Sequence, residues 1–223
     1  MSKVTPSNQT ADLGNDPVGR LLVRLALPTI TAQIVNLLYN IVDRVYIARI
    51  PDVGTTALGA VGLCFPIIVI ITAFSNLFGT GGAPIFSIER GKGNHEKAGL
   101  LMNTSFTLLA LCAVILMIAG LLFARPILVL IHTPEEILDL AVQYLRIYCL
   151  GYPALLVYDF GSAILRSKGD SRRPFLILTF SGFINVGLNL FFVIVCGLGV
   201  AGVAVATDLS TLFSAGMVVW WLI

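Results

Sequence analysis

Charge is what this chain has least of. Only 12% of its 223 residues are Asp, Glu, Lys or Arg, against roughly 25% in an average soluble domain. A solvated globular surface cannot be built from so little, and a net charge of +2 leaves no basic face for a nucleic-acid partner. Histidine is scarcer still: the two residues, His95 and His132, fall in loops on opposite sides of the chain. No Ser/His/Asp set and no metal-spaced cluster can be drawn, so an enzyme is not expected. The four cysteines, Cys64, Cys112, Cys149 and Cys196, show no pairing of the redox or zinc kind and read as small core residues. The first twenty residues lack the apolar stretch of a cleavable signal, so the first span is expected to be an uncleaved anchor. Nothing within the 223 residues repeats the pattern of six spans described next.

What the chain has in quantity is apolar length. Hydrophobic residues make up 57% of it and the mean hydropathy is +0.93. They gather in runs at about Leu22 to Ile47, Leu58 to Phe78, Leu101 to Phe123, Val142 to Ile164, Phe175 to Cys196 and Val200 to Ile223. Each is about 20 residues or more, enough at about 1.5 Å per residue to cross roughly 30 Å of hydrocarbon. Backbone groups cannot stay unpaired in lipid, and barrel strands would be shorter and alternate polar with apolar, so the spans must be helices. The expected fold is all-α, a polytopic membrane protein with six transmembrane helices. A polar tail would occupy residues 1–20 and the helix bundle residues 21–223, with the lipid bilayer as the first partner.

Orientation follows from lysine and arginine, which are enriched in cytoplasmic loops. Lys3, Arg20 and Arg24 precede the first span; Arg90, Lys92 and Lys97 follow the second; Arg166, Lys168, Arg172 and Arg173 follow the fourth. The opposite loops hold Arg49 and Arg125, with Glu135, Glu136 and Asp139. Both chain ends are therefore expected on the cytoplasmic side of the cell (inner) membrane. In the 124–139 connection, Thr133 is a candidate cap for a helix beginning at Pro134 with Glu136 third.

The polar residues inside the spans carry the functional signal. Residues three, four and seven apart share a helix face, and Thr29, Gln33, Asn36, Asn40 and Asp43 draw one line down the first span, with Tyr39 beside it. A polar line on a membrane helix is expected to face the bundle interior or a water-filled cavity. Ser181, Asn185 and Asn189 repeat the pattern in the fifth span; Thr207, Ser210, Thr211 and Ser214 do so in the sixth; Thr72, Ser75, Asn76 and Gly79 add to it in the second. If these four faces converge, Asp43 is the one strong charge in a small oxygen-rich pocket, suited to a proton or a bare cation. The alternative for the hydroxyls and amides is hydrogen-bonded glue between helices. Pro28, Pro66, Gly81, Gly82, Pro84, Gly151 and Pro153 are candidate points for a helix break. Asp159 in the fourth span and Asp208 in the sixth are further candidates by the same logic. Arg44, turned roughly 100° from Asp43 on an α-helix, is better placed to snorkel or to form a structural ion pair. Phe65, Phe74, Phe78, Tyr39 and Tyr158 could line an apolar surface for a ligand or simply pack.

The stretches LALPTITAQIVNLLYNIVDRVYIARI, GLCFPIIVIITAFSNLFGTGGAPIFSIERGKGNHEKA, AILRSKGDSRRP and INVGLNLFFVIVCGLGVAGVAVAT, in this order and spacing, resemble the amino-terminal half of multidrug and toxic compound extrusion (MATE) transporters. The likeness covers nearly all of Pro17 to Ile223 and is nearest to the bacterial multidrug-efflux subgroup. It implies two six-helix lobes forming a V, with an amphipathic, mostly cationic drug or toxin exported in exchange for Na+ or H+ and no other cofactor. It also implies a cation site at Asp43, Asn185, Asn189 and Thr207, with Gln33, Asn36, Tyr39, Asn40, Asn76 and Asp159 as candidate cavity residues. Some relatives have aspartate where this chain has Asn189; Asp159 and Asp208 stand where an amide and an apolar residue are the norm. The missing wall of the cavity would come from a second six-helix lobe or a second copy of the chain. Two other readings stay open: a lipid-linked precursor flippase, and a non-transporting truncated bundle acting as an assembly or regulatory subunit.

Overall fold

The computed structural model describes residues 17–50 and 53–222, without the side chains of Arg20, Ser75, Asn76, Phe78, Gly79 and Thr80. The tail of residues 1–16, with Lys3, and the side chain of Asn76 thus lie outside the described residues. Six helices follow in order: α1 Val18–Ala48, α2 Gly54–Gly91, α3 His95–Leu130, α4 Glu135–Ser167, α5 Arg172–Asn189 and α6 Gly199–Leu222. Between α5 and α6 runs a π-helical segment, Leu190–Val195. All six are long and apolar enough to cross a membrane, and the described residues contain no strand. The 36 residues of α3 make it roughly 54 Å long, so it overshoots a hydrocarbon core and projects on at least one side.

The ends are set locally. Asn94 caps α3, its side chain accepting from the Lys97 N–H at 3.2 Å. The preceding turn relies on Gly93 at φ 77°, a value that favours glycine. Beside that turn Glu89 pairs with Lys92 at 2.9 Å and Lys97 at 3.6 Å, which holds its carboxyl below the usual range, chiefly through the Lys92 hydrogen bond. Asp170 starts α5: its Oδ1 accepts from the N–H groups of Arg172 and Arg173, both at 3.1 Å.

Three expectations about local structure give way. Pro134, not Thr133, is the cap of α4, which begins at Glu135 with no side-chain cap; the Thr133 N–H instead closes the end of α3 onto the Leu128 carbonyl at 3.1 Å. The connection shrinks accordingly from 124–139 to the residues between Leu130 and Glu135. Pro28, Pro66, Pro84 and Pro153 all lie inside continuous helices, as do Gly81, Gly82 and Gly151; membrane helices tolerate proline and glycine in their interiors. The irregular backbone falls instead at Leu190–Val195 and at Gly197 and Gly199, both with positive φ.

α4 is the hub, packed against α6, α2 and α3, while α1 leans mainly on α5 and α5 on α6. Small residues make these approaches possible, as van der Waals contact between membrane helices requires. Gly120 of α3 meets Cys149, and Gly151 and Gly161 of α4 meet Asp208 and Val218 of α6. Tyr152, 1% exposed, donates its hydroxyl to the Ile71 carbonyl of α2 at 2.6 Å. All four cysteines are free thiols. Outside this core, residues such as Leu27, Ile34, Leu111, Ile115 and Leu122 point outward, as a lipid-facing surface should.

Candidate functional site

Asp43 is 8% exposed, and the residues that shield it come from α5 and the chain just before the π segment. Asn189, fully buried, donates its Nδ2 to Asp43 Oδ1 at 2.5 Å and to Asn185 Oδ1 at 3.0 Å. Both neighbours offer oxygens, so the amide nitrogen faces them and the amide oxygen faces away. That Asn189 Oδ1 is buried and has no hydrogen-bond partner among the described residues. Asn185, 1% exposed, continues the chain by directing its Nδ2 towards Thr207 Oγ1 at 3.4 Å and Ser210 Oγ at 3.5 Å on α6. Ser181 adds a bond to the Ser210 carbonyl at 2.8 Å. The result is one polar thread from α1 through α5 to α6, ending on hydroxyls whose own protons go to backbone carbonyls.

The four residues singled out as the cation set therefore lie together. Their oxygens are one carboxylate, the Asn185 amide oxygen that accepts from Asn189, a threonine hydroxyl and, on the far side of the Asn189 amide, an oxygen without a donor; carboxylate, amide and hydroxyl oxygens are the kinds that suit a small hard cation or a proton. Arg44 does not pair with Asp43; its guanidinium stands 5.9 Å over the Phe65 ring.

The rest of the α1 line is more open than Asp43. Asn36 and Tyr39 are half-buried, while Gln33 and Asn40 are exposed. Asn40 donates Nδ2 to the carbonyl and side-chain oxygens of Asn36 at 2.8 and 2.7 Å, so these two satisfy each other along the helix. Thr72 of α2 spends its hydroxyl on its own helix, and the convergence among the described side chains involves α1, α5 and α6. Tyr39 packs towards Gly182 of α5 and lies within electrostatic reach of Asp43, Tyr158 and Asp159. Asp159 is half-buried amid Tyr39, Tyr148 and Tyr158. Asp208 sits on the Gly151 backbone, within reach of Tyr144 and Tyr148.

Tyr144 and Tyr148 escaped the sequence reading. They stack with centroids 6.3 Å apart, Tyr144 within electrostatic reach of Asp43 and Asp208 and Tyr148 of Asp159 and Asp208. The signal was available: Tyr144, Tyr148 and Tyr152 recur every fourth residue, placing three phenols on one face of α4. The π segment had no comparable signal, although a π bulge next to a polar cluster often accompanies a functional site.

Comparison with known proteins agrees with this architecture. The MatE family model matches residues 28–191. A "FAD transporter" of Shewanella oneidensis is 28% identical over 205 residues, which is 90% of this chain and 45% of that protein. The "Multidrug and toxin extrusion protein 2" of Mus musculus is 28% identical over 207 residues, 90% of this chain and 35% of that protein. Among solved structures, an outward-facing multidrug resistance MATE family transporter of the MOP superfamily superposes with a TM-score of 0.85 at 28% identity, covering 91% of this chain and 44% of its own. The chain thus spans less than half the length of each of these relatives. With the family model running from the first span through the site-bearing helix α5, this chain belongs to the MatE family, whose members are membrane transporters rather than enzymes.

Proposed function

We propose that the chain forms one six-helix lobe of a secondary antiporter that expels amphipathic, mostly cationic compounds in exchange for Na+ or H+. It would lie in the cell membrane with the basic loops and amino terminus on the cytoplasmic side, as the distribution of lysine and arginine favours. A second six-helix lobe, or a second copy, would complete the cavity, in keeping with coverage of less than half of each relative.

One observation carries the reading: Asp43 is buried, free of any guanidinium, and tied through Asn189 and Asn185 to Thr207 on a third helix. A cation or proton arriving at the carboxylate changes what Asn189 can donate to, and hence how α1 sits on α5 and α6. An ion shifts a conformational equilibrium only by its difference in affinity between the two states. The thread supplies such a difference, because it exists only while α1 and α5 keep this packing. Cargo would meet Asp159 with its surrounding tyrosines, where a carboxylate and phenol faces suit a delocalised organic cation.

The test uses everted vesicles bearing the chain together with its second lobe, with a fluorescent organic cation supplied outside and Na+ and proton gradients imposed separately, so that export reads as uptake into the lumen. Asp43→Asn should abolish gradient-driven movement while membrane insertion stays normal. Coupled uptake at the parent rate in the variant would overturn the assignment. A flavin dinucleotide should be run as competing cargo, since one relative is named for it.

A further inference from the structure

On the basic side of the bundle, away from Asp43, the α4–α5 turn and the last turns of α6 enclose a cavity of about 300 Å³. Its polar end is organised by Asp170, 3% exposed, whose Oδ2 pairs with Arg173 Nε at 3.0 Å. The pairing fixes Arg173 over the Trp221 ring, 4.2 Å from its centroid. Asp170 is thereby engaged, and Arg172 beside it is exposed with no side-chain partner among the described residues. Arg166 and Lys168 add two more cations to the same turn. Burial, and to a lesser degree the nearby Arg90, push the Lys168 amine below its ordinary value.

The other end of the cavity is apolar. Leu176 and Phe180 on α5 and Phe213 on α6 line it while remaining 49%, 61% and 40% exposed. From Arg172 to Phe180 the helix rises roughly 12 Å, the distance over which a membrane passes from headgroup to acyl chain. A cavity with the unpaired Arg172 on its lining, an interfacial tryptophan on its wall and an outward-open apolar slot is complementary to an anionic amphiphile, not to an organic cation.

We propose that this cavity is a binding site for an anionic phospholipid, with the phosphodiester on the Arg172 guanidinium and one acyl chain in the slot between α5 and α6. A guanidinium fork receives two phosphate oxygens at once, which an ammonium cannot do. The site stands on the cavity and its charges alone and is independent of the transport reading.

The chain's two tryptophans, Trp220 and Trp221, make the test direct. In a Trp220→Phe chain in nanodiscs, Trp221 is the sole indole and it lines the cavity. Its fluorescence should be quenched by dibrominated phosphatidylglycerol at an about fivefold lower mole fraction than by dibrominated phosphatidylcholine, the preference expected of one arginine near a membrane surface. Arg172→Gln should bring the two lipids together, and Arg172→Lys should fall between. Equal quenching by both lipids in the Trp220→Phe chain overturns the proposal without any further variant. So does a preference that survives Arg172→Gln, or an indole shielded from both lipids because a protein segment or second copy fills the slot.

Discussion

Replacing Gly151 by alanine tests one of the tight approaches between α4 and α6, the seat of Asp208 on α4. In an open helix the change would stabilise by about 1 kcal/mol, since glycine is that much the poorer helix former. Here an added Cβ would run into the Asp208 carboxyl and would also come within 2.9 Å of Asp208 Cβ. Swinging the carboxylate aside relieves the first clash but not the second, because rotation about χ1 leaves Cβ where it is. The helices α4 and α6 must part, and overpacking of this kind costs about 1–3 kcal/mol. The clash offsets the propensity gain, and Gly151→Ala should destabilise by up to about 2 kcal/mol. Gly161→Ala should also destabilise: its added Cβ meets Val218 Cγ1 and comes within 3.1 Å of Leu222 Cδ1, and Val218 is fully buried and stiff at χ1 on a helix.

The assay is unfolding by SDS in mixed micelles, followed by circular dichroism, with a double-mutant cycle against Asp208. In an Asp208→Ala background Gly151→Ala should become close to neutral, and in Asp208→Gly it should stabilise by about 1 kcal/mol as the bare propensity returns. A stabilising Gly151→Ala in the parent chain, or a coupling below about 0.5 kcal/mol, would refute the close contact. It would also reopen Asp208 as a group free to serve an ion.

Other outcomes follow from the polar thread and the basic loops. Asn189→Leu removes the donor to Asp43 and a charge-assisted bond worth about 1.5–3 kcal/mol, so unfolding midpoints should drop and 22Na+ binding to the purified chain should weaken; unchanged values for both would detach Asn189 from the site. Thr207→Val deletes a hydroxyl and keeps the shape, and should reduce cation binding with only a small stability change; scintillation proximity measures the one and SDS titration the other. Glu89→Gln removes the staple on the α2–α3 turn. Since Lys92 and Lys97 hold the Glu89 carboxyl below its ordinary 4.5, the staple's contribution is complete above that pH and is lost as pH falls through the lower folded value. The parent's thermal midpoint should therefore decline in acid more than the variant's, and high salt should narrow the gap at pH 7; parallel curves would refute it. Arg125→Ala should change stability by less than about 1 kcal/mol, because its 3.0 Å pair with Asp139 is solvent-exposed.

How far the sequence carries depends on which forces are local. Six spans and an all-α fold follow from apolar length alone, since lipid leaves the backbone no other option. Asp43, Asn185, Asn189 and Thr207 were visible as periodic polar residues because a buried polar face must repeat with the helix. What periodicity cannot supply is the angular position of a face relative to its neighbours. Gln33 and Asn40 keep the register of Asp43 yet are exposed, because α1 leans on α5 only along one flank and the line runs past the edge of that contact. Breaks misled for a related reason. Proline marks where a hydrogen bond is lost, not whether a neighbour replaces it, so Pro28 and Pro153 sit in unbroken helices.

The π segment is the part that joins these lessons. It begins at the residue after Asn189 and ends before Gly197 and Gly199, whose positive φ values turn the chain back into α6. Gly202 on α6 sits close against that segment, since an added Cβ would lie 3.1 Å from the Phe192 backbone. The wide turn and the close return together bring Thr207 back beside Asn185 on the adjacent helix. A regular α-helix through residues 190–195 would carry the same sequence and the same polar periodicity, but it would rotate the connection and the start of α6 relative to Asn185. The cation-suited cluster thus depends on a backbone irregularity with no polar residue of its own, between Leu190 and Val195. Substitutions there should alter the reach between α5 and α6 while leaving every hydrogen-bonding side chain intact.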